Sequence, residues 1–218
     1  MQLKQKIAIY IARDRKVATN SYLCFTNIYD CANSHYSKDT ICYKCTPSNK
    51  NSHQFRLNNT YLEKFALRIE EESRYWCGID SFEDLYKKVK SVVKQLKTEN
   101  IVGNLGELVM YDTAARIAYL KYIRNEGDYR PKEQVYIHAG VYNGAKWLFE
   151  HKYITIKPKC NNVLPVEAFC DEYFKSLFDA LRLDEFKGFT KSMILESFMC
   201  MMMDGKSPKL CGKCRLKF

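Results

Sequence analysis

Two Cys-x-x-Cys pairs, Cys42–Cys45 and Cys211–Cys214, lie near opposite ends of a chain of 218 residues. Such a turn presents two sulfurs from one tight bend, and four thiolates complete the tetrahedral shell of a structural zinc ion at about 2.3 Å. One ion held by Cys42, Cys45, Cys211 and Cys214 would clip the two ends of the chain together. No local preference for helix or strand imposes so long-range a constraint. Cys24 and Cys31 offer an alternative set with Cys42 and Cys45 that leaves the tail pair separate. A shell of four thiolates has no open coordination position, so the zinc is expected to be structural. Thioredoxin-like redox chemistry is disfavoured because neither pair lies in a βαβ context.

The charge pattern sharpens this reading. The formal net charge is +10, of which residues 1–57 supply +6 and residues 205–218 supply +5, leaving −1 for the stretch between. A zinc clip would gather both basic segments into one region, including Lys206, Lys209, Lys213 and Arg215 of the tail. Concentrated positive charge favours phosphate backbones through steering and counterion release, and DNA is the expected partner.

Between those segments the apolar residues follow a helical period. Leu62, Phe65, Ile69 and Trp76 mark one stripe, and Phe82, Leu85, Val89, Val92, Val93 and Leu96 mark a clearer one. Ser81, three residues before Asp84, supplies a capping-box-like start to the second helix. A third helix is expected over 111–124, a fourth after Pro165 and a fifth over 193–202. Val135–His138 and Tyr153–Ile156 are the strand candidates, with a helix around Trp147 between them. The cluster at Met199–Met203 reads as adaptable core filling rather than a soft-metal site. The fold expected is mainly α: a single helical domain with minor β and a small irregular zinc-stabilised N-terminal subregion. Its parts are a basic Cys-rich segment over 1–57, a helical core over 58–204, and a basic tail over 205–218 packing on the first. No apolar run approaches the roughly 20 residues that span a bilayer, and the N-terminus lacks the order of a signal peptide. No membrane association and a cytoplasmic location are therefore expected.

Ile101-Val102-Gly103-Asn104-Leu105-Gly106, followed by Thr113-Ala114-Ala115-Arg116-Ile117-Ala118, resembles the helix-hairpin-helix module of DNA-binding proteins and of the base-excision DNA glycosylases built on it. The resemblance implies that Gly103 and Gly106 let backbone amides approach a phosphate, with the following helix N-terminus adding a favourable dipole. Gly103 and Gly106 are separated by two residues where the family pattern has one, and Tyr111-Asp112 stands where the glycosylase lysine would be. By the same resemblance, Asp128 is the nearest candidate for the catalytic aspartate. Asp112 and His138 are the other catalytic candidates. His138 ends a strand beside the turn at Gly140, a suitable place for a general base, and Lys146 is expected near the same helix entrance as a nucleic-acid contact. A pocket would form where the helix of Asp112 meets the turn at His138. Signatures of zinc proteases, serine hydrolases, P-loops, dinucleotide sites and zinc deaminases are absent. Three classes of function follow: a DNA-binding protein, a base-excision glycosylase-like enzyme, and a zinc-stabilised interaction module that touches no nucleic acid.

Protein purified without chelator should contain one zinc per chain by elemental analysis. Replacing Cys211 and Cys214 by Ser should abolish that zinc if both pairs share the ion, and leave it in place if Cys24 and Cys31 complete the site. Metal-free protein would exclude both arrangements.

Overall fold

The computed structural model describes residues 59–103, 105–171 and 190–201. The four cysteines of the expected zinc clip, Cys24 and Cys31, and the tail cations Lys206, Lys209, Lys213 and Arg215 lie outside them. The described residues divide into two compact units, one ending at Pro131 and the other starting at Lys132, within the stretch that reads as one core from sequence. Both are helix-dominated, as the apolar periodicity implies. The elements in chain order are α1 (Asn59–Ser73), α2 (Phe82–Thr98), α3 (Glu107–Ile123), β1 (Gln134–Ile137), α4 (Ala139–Glu150), β2 (Asn162–Pro165) and α5 (Lys191–Met201).

In the first unit α2 packs against both α1 and α3. The N-cap of α2 is Ser81, whose Oγ accepts from the Asp84 amide at 3.1 Å and donates to the Asp84 carboxylate at 2.7 Å. The stripe read from the sequence is the buried face, from Phe82 through Leu85, Val89 and Val92 to Leu96. Phe65 and Ile69 of α1 are fully buried, but α1 stops at Ser73 and Trp76 lies beyond it. Helix α3 begins one turn earlier than expected and has no single apolar face. Val109 through Ala115 are all buried, as are Ile117, Ala118 and Tyr119. A helix apolar on every side is a central one. Tyr111 meets Phe82 and Tyr86 of α2 edge-on, with ring centroids 5.8 and 6.4 Å apart.

Helices α2, α3 and α4 end alike. Asn100, Asn125 and Lys152 adopt left-handed φ of 57°, 59° and 62°. In each case the next amide reaches back to the carbonyl five residues earlier, as Ile101 does to Leu96, Glu126 to Lys121 and Tyr153 to Leu148. This is the Schellman closure, which satisfies carbonyls that a helix end leaves open.

The second unit is built on a two-stranded antiparallel sheet in which Val135 faces Leu164 and Ile137 faces Asn162. The partner of β1 is therefore Asn162–Pro165 and not the expected 153–156. The amide of Tyr153 is taken by the closure of α4, and Ile154 bridges Phe169 instead. Asn and Pro give residues 161–165 the composition of a turn, yet Pro165 stands at the strand end, where its missing N–H costs no ladder bond. Of the helix expected after Pro165, Val166–Ala168 form a 3-10 turn and Phe169 is extended, while residues 172–189 lie outside the described residues. Helix α5 packs on α4 and β1. Met199 is fully buried there, in keeping with a packing role for the methionines.

The α4–α5 crossing leaves no room at Gly144. A Cβ there would stand 2.2 Å from the carbonyl oxygen of Met199. Gly144→Ala must push the helices apart, and overpacking of this kind costs about 1–3 kcal/mol or more. Urea unfolding should show a lower midpoint with unchanged slope.

Candidate nucleic-acid interface

A basic row runs along α2 beside its buried stripe. Lys90, Lys94 and Lys97 follow one another at four and three residues, which places them in a single row on the helix surface. The row looks onto the start of α3, and together they border a groove of about 490 Å³. Four contacts set its geometry. The Lys90 ammonium lies 2.9 Å from the Glu107 carboxylate and 4.5 Å from the centre of the Tyr86 ring. The Tyr86 hydroxyl donates to the same carboxylate at 2.5 Å. Lys97 donates to the carbonyl of Leu105 at 3.2 Å. Glu107, in the first turn of α3, also complements the positive end of that helix. Lys94 is exposed and has no ion pair among the described residues.

The turn carrying the two glycines joins α2 to α3. Val102 and Leu105 are buried and anchor it, while Gly106 is exposed and faces open space. Tyr61 of α1 lies against Gly103. The carbonyl of Gly106 accepts from the amides of Val109 and Met110, so Gly106 stands directly before the helix. The first N–H groups of a helix lack intrahelical partners, and a row of lysines beside them makes a surface suited to an anion. The sequence reading selected the glycines but passed over the lysine row. The signal was present in the four-and-three spacing, hidden because α2 was read only for its apolar stripe.

The remaining candidates fall elsewhere. Asp112 is 3% exposed and is the sixth residue of α3, so it sits past the first turn, where the dipole acts most strongly. Asp128 is clasped by Arg130, with both contacts at 2.6 Å. Burial opposes the charge on Arg130, but Asp128 and Tyr122 more than offset it, and its pKa is raised. The guanidinium of Arg130 lies 3.3 Å above the Tyr122 ring. His138 occupies the N-cap position of α4 and is 3% exposed, with Nε2 at 2.5 Å from Glu196 of α5. Lys146 is not at the helix entrance. It lies two turns further along α4, on the surface, 3.7 Å from Glu150. Asp112 and His138, expected to share a pocket, belong to different units. Among the described residues no group of three or more His, Cys, Asp or Glu is placed to hold a metal ion. Among them, too, no helix is long and apolar enough to cross a membrane. Comparison with protein-family models, curated proteins and solved structures finds no match.

The turn is pinned at its entrance by Glu99, the C-cap of α2, which takes two hydrogen bonds from Arg68 of α1 at 3.1 and 2.7 Å. Those bonds hold the Glu99 carboxyl below its usual pKa. A depressed pKa contributes stability that is present above the unfolded value, near 4.3, and is lost as pH falls through the folded one. Glu99→Gln should therefore lower the urea midpoint most above the unfolded value, and the gap from the parent should close as pH falls through the folded one. A gap independent of pH would mean that the ion pair does not hold the turn.

Proposed function

We propose that this chain binds nucleic acid, DNA foremost, by gripping the phosphate backbone at the turn between α2 and α3. One observation carries the reading. Gly106 opens directly onto the start of α3, beside a groove bordered by Lys90, Lys94 and Lys97. Backbone amides and a helix N-terminus position a phosphate, and flexible ammonium groups supply charge without reading sequence. The basic segments at 1–57 and 205–218, joined through a structural zinc at Cys42, Cys45, Cys211 and Cys214, would extend the same positive surface. The reading gains support from the resemblance to helix-hairpin-helix proteins at residues 101–118. Base excision remains the second use of such a module, but Asp128 and His138 are each engaged by a partner side chain, so the proposal is made for binding.

Fluorescence anisotropy with a labelled duplex should show affinity falling steeply with salt. Each phosphate contact removed lowers the slope of log affinity against log salt by roughly 0.7–0.9. Replacing Lys94 and Lys97 by Ala should thus reduce the slope by one to two such steps while leaving the helical circular dichroism unchanged. An unaltered slope would remove the groove from the proposal, and absence of binding at low salt would favour a protein-interaction module.

A further inference from the structure

We infer that the cavity between the α1–α2 loop and the C-terminal end of α3 is a binding site for a nucleobase. This deepens the nucleic-acid reading and rests on it. The cavity holds about 310 Å³, within the range of small-ligand pockets. Trp76 and Tyr129, both half-buried, contribute aromatic faces. Lys121 and Arg124 stand with Glu70 and Glu126 in the same lining. The formal charges cancel, which makes the cavity a poor site for a bare phosphate or another small anion. What it offers instead is flat π surface together with donors and acceptors around the edge. A nucleobase carries that combination: a ring that stacks, with donor and acceptor groups along its rim.

Two ionic pairs at the lining are long. Lys121 is 3.5 Å from Glu126, and Glu70 is 3.6 Å from Arg74. Both lie at or beyond the limit of a direct hydrogen bond, so a ligand edge can replace the partner at small cost. Tyr129 is set in place by Gly127, which has φ of +130°, and a Cβ there would stand 2.5 Å from the tyrosine ring. The Lys121 ammonium lies 6.0 Å from the centre of that ring. Further aromatic surface lies close by in the chain, since Tyr75 is 80% exposed. Such side chains form stacking platforms for successive bases of a single strand. The shared chemistry is thus a nucleotide, either free or as part of a strand.

The chain has two tryptophans, so Trp147→Phe leaves Trp76 as the only indole reporter. In that background the indole emission is followed during titration with AMP, with a 12-nucleotide single strand and with inorganic phosphate, while anisotropy of the labelled strand reports binding independently. We expect the strand to quench Trp76 and phosphate to leave it unchanged. Tyr129→Ala should weaken the quenching titration by about tenfold, the usual scale of one lost stacking partner, and Tyr129→Phe should retain parental behaviour. Quenching by AMP without strand binding would keep the site, identify free nucleotide as its ligand and defeat the nucleic-acid reading. Strand binding by anisotropy with unchanged Trp76 emission would overturn the site and leave that reading standing. Neither quenching nor anisotropy change would overturn both.

Discussion

The burial of α3 on almost every side is the constraint on which the first unit depends. A helix of 17 residues is about 25 Å long, and enclosing it requires α2 along its length and the apolar residues of the connecting turn. Each fully buried large side chain is worth about 1.5–3 kcal/mol, so residues such as Tyr111 and Leu105 leave little freedom in how the turn is drawn in. The two proposed sites are then set by the two ends of one helix. At its N-terminus stand Gly106 and the lysine row, and at its C-terminus stand Lys121, Arg124 and the aromatic cavity.

The second unit uses polar groups differently. His138 and Glu196 are buried together, and each would be costly alone in an apolar interior. Paired at 2.5 Å, they tie the start of α4 to α5 across 58 residues of sequence. Ser192 adds a hydrogen bond from α5 to the carbonyl of Gln134 on β1. Gly144 lets the helices meet backbone to backbone. These contacts are consistent in direction: all press α5 onto the strand–helix junction. His138, the general-base candidate of the sequence, is in place also a link between elements.

The proposed binding surface depends on helix faces as well as on residue types. Gly103 and Gly106 were legible because glycines between two helix-forming stretches mark a turn. The lysine row was legible in principle from its spacing, but its relevance depends on which part of α3 it lies beside. The cavity was not legible, because Trp76 continues the apolar stripe of α1 in sequence and only the end of that helix at Ser73 releases it to a loop. Likewise Tyr153–Ile156 has strand-forming residues, and the helix closure at Lys152 takes the amide that a ladder would need.

The sequence by itself determined the helices α1 to α3, the cap at Ser81, the turn at Gly103–Gly106 and the concentration of positive charge toward the ends. Those are consequences of local periodicity, of single-residue backbone preferences and of summed charge. Tertiary structure decided the partner of β1, the pairing of His138 with Glu196 and the convergence of Trp76, Tyr129 and four charged side chains on one cavity. Each of those depends on groups distant in the chain competing for the same hydrogen bond or the same buried volume, and such competition is resolved only when the elements pack.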